Sequence, residues 1–163
     1  MSDLVCVQAD DFSLADEYQR LRNLNAQVGA VVTFCGLVRD FESSTGEPKS
    51  KKLVNYLTLQ HYPGMTETLL DDIVMQAKAR WDLVAVTVIH RIGNLAPNDQ
   101  IVFVGVASGH RKAAFDAAQF LMDYLKTKAT FWKKLTAEGS EQWLDAKSSD
   151  SDAAAKWSED SHD

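Results

Sequence analysis

Apolar residues fall in short runs separated by polar breaks that carry Gly, Pro and Asn. "LVCVQ" (4–8) reads as a short strand, and "SLADEYQRLRNL" (13–24) as a helix that Ser13 caps, with Asp16 three residues on as a shortened capping-box acid. "GAVVTFCGLVRD" (29–40) is β-branched and aromatic, a strand pattern. "FESSTGEPKSKK" (41–52) reads as a mobile loop, and "LVNYLTLQHY" (53–62) as the next strand. Pro63 stands where a helix can begin. In the following segment Met65, Leu69, Ile73 and Ala77 recur at four-residue spacing and predict the buried helix face. "LVAVTVIHRIG" (83–93) and "DQIVFVGVAS" (99–108) predict an antiparallel hairpin turned by "NLAPN". "GHRKAAFDAAQFLMDYLKTKA" (109–129) predicts the longest helix, with Phe115, Ala118, Met122 and Leu125 as its apolar stripe. "TFWKKLTAEGSEQWLDA" (130–146) reads as a second hairpin about Glu138-Gly139, and the tail 148–163 as a polar segment, frayed or helical in part. The order β-α-β-β-α-β-β-α-β-β predicts an α+β fold with largely antiparallel sheets, one domain over 1–147, and a separate tail.

Composition narrows the function classes. The 163 residues suffice for one domain with a real core, and 45% hydrophobic with 25% charged content is that of an ordinary globular chain. No apolar run approaches the roughly 20 residues that span a bilayer. The start, MSDLVCVQADDF, lacks a signal-peptide pattern, so a cytoplasmic setting is expected. A net charge of -6 argues against general nucleic-acid binding. Cys6 and Cys35 read as buried thiols. The histidines at 61, 90, 110 and 162 lack metal-ligand spacing, and neither a P-loop nor a nucleophile elbow is present.

Against that acidic background, "DYLKTKATFWKK" (123–134) gathers Lys126, Lys128, Lys133 and Lys134 beside Tyr124, Phe131 and Trp132. A solvated helix end or an anion pocket explains it. Lys126 lies at the margin of the apolar stripe, which predicts partial desolvation and suits a proton shuttle or nucleophile. Lys128 points away. Neighbours in a strand face opposite ways, so only one of Lys133 and Lys134 should face a pocket. "VASGHRKAAF" comes off a strand and opens the long helix, with Ser108 as candidate N-cap. His110 and Arg111 oppose the helix dipole there, which an anion held between them would explain. An ion pair for Arg111 and a surface or core histidine is the plainer alternative. Arg39 ends a strand beside the loop, a common binding position or an ordinary ion pair. His61 reads as a turn or core histidine.

The segments "GAVVTFCGLVRD", "HYPGMTE", "VIHRIG", "IVFVGVASGHRKAAF" and "DYLKTKATFWKK", in this order, resemble those of the large, catalytic subunit of molybdopterin synthase, from about residue 28 to residue 147. The resemblance implies an α/β hammerhead-type domain with an additional antiparallel sheet. It implies a sulfurtransferase that converts cyclic pyranopterin monophosphate to molybdopterin. The sulfur would come from the C-terminal Gly-Gly thiocarboxylate of a small ubiquitin-like partner, within a heterotetramer built on a central homodimer. Lys126 and Lys133 would be catalytic. Val38, Arg39, His110, Arg111, Lys126, Lys133 and Lys134 would bind substrate, with no metal and no cofactor. Two positions depart from the family's pattern: Leu37 stands where a lysine is common, and Leu135 where an acid follows the paired basic residues. Rival readings are a weakly active scaffold for the ubiquitin-like partner, a small phosphate-binding module, and a single-strand nucleic-acid binder. Finally, Arg111 and Lys126 lie fifteen residues apart on one predicted helix, about 22 Å along its axis. The resemblance assigns both to one pocket, which predicts a site shared between two copies.

Overall fold

The computed structural model describes residues 3–39, 54–129, 131–137, 140–144 and 148–159. The expected mobile loop at 41–52 and the turn at 138–139 lie outside the described residues. Among the described residues, two four-stranded sheets organise the molecule. The first has strand order β1-β4-β6-β2, from β1 (Leu4–Gln8), β4 (Leu83–Arg91), β6 (Gln100–Ser108) and β2 (Ala30–Leu37). Only β1 and β4 run parallel; the expected β4–β6 pair is antiparallel. The second sheet is antiparallel throughout, with order β5-β3-β7-β8, from β5 (Gly93–Leu95), β3 (Val54–His61), β7 (Phe131–Ala137) and β8 (Ser140–Leu144). The α+β expectation holds, second antiparallel sheet included.

Period-two alternation divides the first sheet between two cores. Val86, Val88, Val102, Val104 and Val106 face α2 (Met65–Arg80) and α3 (Arg111–Lys128). Ala85, Ile89, Phe103 and Ala107 face the opposite way, with Leu21 of α1 (Leu14–Arg22) and Phe12. Phe103 and Phe120 are fully buried, each contributing roughly 1.5–3 kcal/mol. Ser13 caps α1 as expected, its hydroxyl accepting from the Asp16 N–H at 3.3 Å. A third core of Val38, Leu57, Leu59 and Leu95 underlies the second sheet.

Several sequence expectations need correction. The buried face of α2 is Thr66, Leu70, Ile73, Val74 and Ala77, whereas Met65 is 52% exposed. A strict four-residue repeat drifts about 40° per step around a 3.6-residue helix, so it starts outside the true face. On α3 the buried residues include Ala114, Ala117, Ala118, Leu121 and Leu125; Phe115, expected in the stripe, is 62% exposed. The "NLAPN" link does more than turn the hairpin, because Gly93–Leu95 pairs with β3 as Leu59↔Gly93 and Leu57↔Leu95. The tail forms a docked helix, α4 (Ser148–Glu159), with Trp157 edge-on to Trp81 and Phe120 at 5.7 and 5.6 Å.

Candidate active site

The expected site residues come to three places. The first is the junction of β2 with the second sheet. Val38 is 2% exposed among Leu57, Leu59 and Leu95. Its N–H donates to the Asp99 carbonyl at 2.9 Å, and its carbonyl accepts from the Asn98 N–H at 2.9 Å. Val38 thus anchors the chain where exposed Arg39 leaves the strand. Leu59 of the same core is the cross-strand partner of Lys133. Directly opposed residues share a sheet face, so the Val38 core and Lys133 lie on one side of the second sheet.

That face carries more than Lys133. Phe131, two residues earlier, pairs with His61, and its ring stacks on His90 at 3.7 Å and 14°. The buried His90 presents Nδ1–H to the Arg91 carbonyl at 2.8 Å. Burial, opposed by that hydrogen bond and reinforced by nearby Lys133 and His61, pushes its pKa down to about 4. The site therefore holds a neutral imidazole beside Lys133 at physiological pH. His61 Nε2 lies 3.2 Å from Glu67 Oε1. The other Glu67 oxygen accepts the Gly64 N–H at 2.7 Å, and these backbone and histidine contacts hold its carboxyl below the ordinary range. His61 therefore belongs to this cluster, where the sequence suggested a turn or core histidine.

Lys134 points to the opposite face, as strand alternation requires. Its ammonium is 3.0 Å from Glu141 Oε1 and 5.7 Å from the centre of the Trp143 ring. The structure does not bring it together with Lys133. Leu135, on the Lys133 face, packs against the Val38 core.

The second place is a cavity of about 520 Å³ between β2, α3 and α4. Lys126 lines it with Thr33, Phe34, Phe115, Met122 and Asp123. Lys126 is exposed in the single chain, not partly buried as its stripe position suggested, because the stripe itself is rotated from the expected one. Lys126 near the end of α3 and Lys133 near the start of β7 flank the short α3–β7 connection in sequence.

The third place is the start of α3. His110 itself is the N-cap residue, with no side-chain cap bond. Ser108, the expected cap, is the last residue of β6. Its hydroxyl donates to the Asp82 carbonyl at 2.9 Å and accepts from the His110 N–H at 3.3 Å. His110 and Arg111 are exposed. A Cβ on Gly29 would lie 2.4 Å from the Gly109 carbonyl oxygen, so glycine there is what lets β2 begin against this turn. Since α3 runs unbroken from Arg111 to Lys128, Arg111 and Lys126 stay about 22 Å apart along its axis in one chain.

Sequence reasoning missed His90 and Asp123. Each is a polar residue inside an apolar run, "VIHRI" and "FLMDYL", and that interruption was the available signal. Among the described residues no cluster of His, Cys, Asp and Glu suits a metal ion, and no helix is long and apolar enough to cross a membrane.

Comparison with known proteins places these features in a family. The model of the MoaE protein family matches residues 7–128. The molybdopterin synthase catalytic subunit of Vibrio cholerae is 52% identical over 158 residues, 96% of this chain and 99% of that one. The subunit of the same name from Escherichia coli is 50% identical over 153 residues, covering 94% and 97%. Among solved structures, the molybdopterin biosynthesis MoaE protein of Burkholderia ambifaria superposes with a TM-score of 0.78 at 43% identity, covering 96% of this chain and 98% of that one.

Proposed function

Since the chain belongs to the MoaE family and is an enzyme of the molybdopterin synthase catalytic-subunit type, we propose that Lys126 and Lys133 are its catalytic pair. They act on two anions, the phosphate of a cyclic pyranopterin substrate and the C-terminal thiocarboxylate of a small ubiquitin-like partner. A cationic pocket holds both and stabilises the oxyanion that forms when water adds to the acyl carbon bearing the sulfur and that collapses as the C–S bond breaks to give the carboxylate. The observation that carries this reading is that Lys126 lines a cavity of about 520 Å³ while Lys133 shares a sheet face with the core that anchors Arg39, cationic positions in a chain whose net charge is -6. Arg39, His110 and Arg111 bind the substrate's negative charge, with Val38 fixing the position of Arg39.

We assign His110 and Arg111 to the pocket of a second copy, in a central homodimer that carries one small partner on each side. The unbroken α3 supports this. So does exposed apolar surface on edge strand β2 and on α3, where Phe34, Leu37 and Phe115 are 42, 51 and 62% exposed. The expected setting is the cytoplasm.

The test is reconstitution. Mixed with thiocarboxylated partner and cyclic pyranopterin monophosphate, the protein should yield the dithiolene product, and Lys126→Ala should lose on the order of 100-fold in rate. An exposed lysine contributes little to folding, so this variant should stay within about 1 kcal/mol of the parent in stability. Near-parental turnover in Lys126→Ala would sink the assignment. A scaffold reading draws on Leu135, which fills the Val38 core where an acid is expected; it predicts partner binding without product.

A further inference from the structure

The C-terminal helix ends up bonded to the acid beside the catalytic lysine. Asp123 of α3 is 6% exposed, and its carboxylate is served by three donors. Gln119 Nε2 donates to Oδ1 at 2.8 Å. Trp157 Nε1 donates to Oδ2 at 2.8 Å, and Lys156 Nζ lies 3.1 Å from the same oxygen. Two of these donors come from α4. Ala153 of α4 also lines the cavity that Asp123 and Lys126 share.

Asp123 and Lys126 are three residues apart on α3, a spacing at which acidic and basic side chains meet on a helix surface. A buried carboxylate that loses a donor either takes up a proton or recruits another cation. Lys156 of α4 already serves this carboxylate, and on α3 itself Lys126, three residues on and lining the same cavity, is the cation that competes for it. We propose that α4 is a positioning element for Lys126: by giving Trp157 and Lys156 to the Asp123 carboxylate, it keeps that carboxylate from drawing Lys126 away from the substrate. Asp123, Lys156 and Trp157 act through Lys126 and need not touch substrate. The inference rests on the reading of Lys126 as catalytic.

Trp157→Phe in the full chain, assembled with its small partner, removes the N–H and keeps a ring against Trp81 and Phe120. We expect kcat to fall about fivefold or more with the pterin KM within about twofold, since the substrate-binding groups are untouched. The decisive arm is the double variant. With Asp123→Asn added, the carboxylate that captures Lys126 is gone, and kcat should rise about threefold or more above that of Trp157→Phe alone. A purely structural role for Trp157 predicts no such rescue, because Asp123→Asn removes yet another interaction of the docked helix. Should Trp157→Phe fail to fold, Lys156→Met with and without Asp123→Asn carries the same comparison. Lys126→Ala run in parallel separates the two failures. If it is active, the catalytic reading is wrong; if it is inactive while Trp157→Phe keeps parental kcat, or is not rescued, the positioning role is wrong.

Discussion

His90 shows how one side chain ties the active site to stability. It is neutral in the native protein because its ring is buried on Phe131 and faces Lys133 and His61, while in the unfolded chain it protonates near its ordinary value of 6.5. The unfolded state therefore binds more protons between pH 6.5 and about 4. Stability contributed by the neutral ring is complete above pH 6.5 and is lost as pH falls towards about 4. The loss is about 3 kcal/mol at most. Urea titrations at pH 7 and pH 4.5 should show the parent losing midpoint more steeply than His90→Phe, which keeps a ring on Phe131 but cannot titrate. Equal losses in the two proteins would mean that His90 takes up its proton in the native protein as readily as in the unfolded chain. The sequence showed a histidine inside "VIHRI" but not its stacking partner, which comes from β7 some forty positions on. Lys126 and Lys133 stood out as candidates because four lysines in twelve residues are conspicuous in an acidic chain. The separation of Lys133 from Lys134 followed from strand alternation alone.

At the scale of elements, local pattern carried furthest where a segment's burial is one-sided and regular. The antiparallel pairing of β4 with β6 and the span of α3 were predictable for that reason. β5 was not, because three residues hold no readable period and become a strand only by pairing with β3. The tail was readable as helical in part, but its docking escaped: its polar composition conceals that Trp157 is an anchor, and the aromatic slot it enters is built by α2's C-cap residue Trp81 and by Phe120. The turn that presents His110 and Arg111 also depends on a distant element. Gly29 approaches Gly109 so closely that a methyl group would meet a carbonyl oxygen at 2.4 Å, and backbone cannot rotate aside as a side chain can. Gly29→Ala should cost about 1–3 kcal/mol and lower the melting midpoint by roughly 3–10 °C. It should also raise the apparent substrate KM more than it lowers kcat, because the displaced turn carries His110 and Arg111, the residues proposed to bind substrate. A variant that melts and binds like the parent would show that this contact does not hold the turn.

At the scale of the whole molecule, the proposed pocket asks for a geometry that one chain does not supply. A straight, Pro- and Gly-free α3 separates Arg111 from Lys126 by about 22 Å, longer than a pterin phosphate can bridge from one helix. In the shared pocket proposed above, an isologous dimer would bring the start of one copy's helix to the end of its mate's, so that Arg39, Lys126 and Lys133 of one chain would face His110 and Arg111 of the other. The complementation of two inactive chains tests this most directly. Arg111→Ala and Lys126→Ala proteins are mixed, subunit exchange is verified by a mass tag, and dithiolene product is measured with the thiocarboxylated partner. Each mixed dimer carries one pocket with both residues intact and one with neither, so activity should return to about a quarter of parental at full exchange, half the dimers being mixed and half their pockets whole. If exchange is complete, both single variants are inactive alone, and the mixture stays inactive, the site lies within one chain and the shared pocket is contradicted.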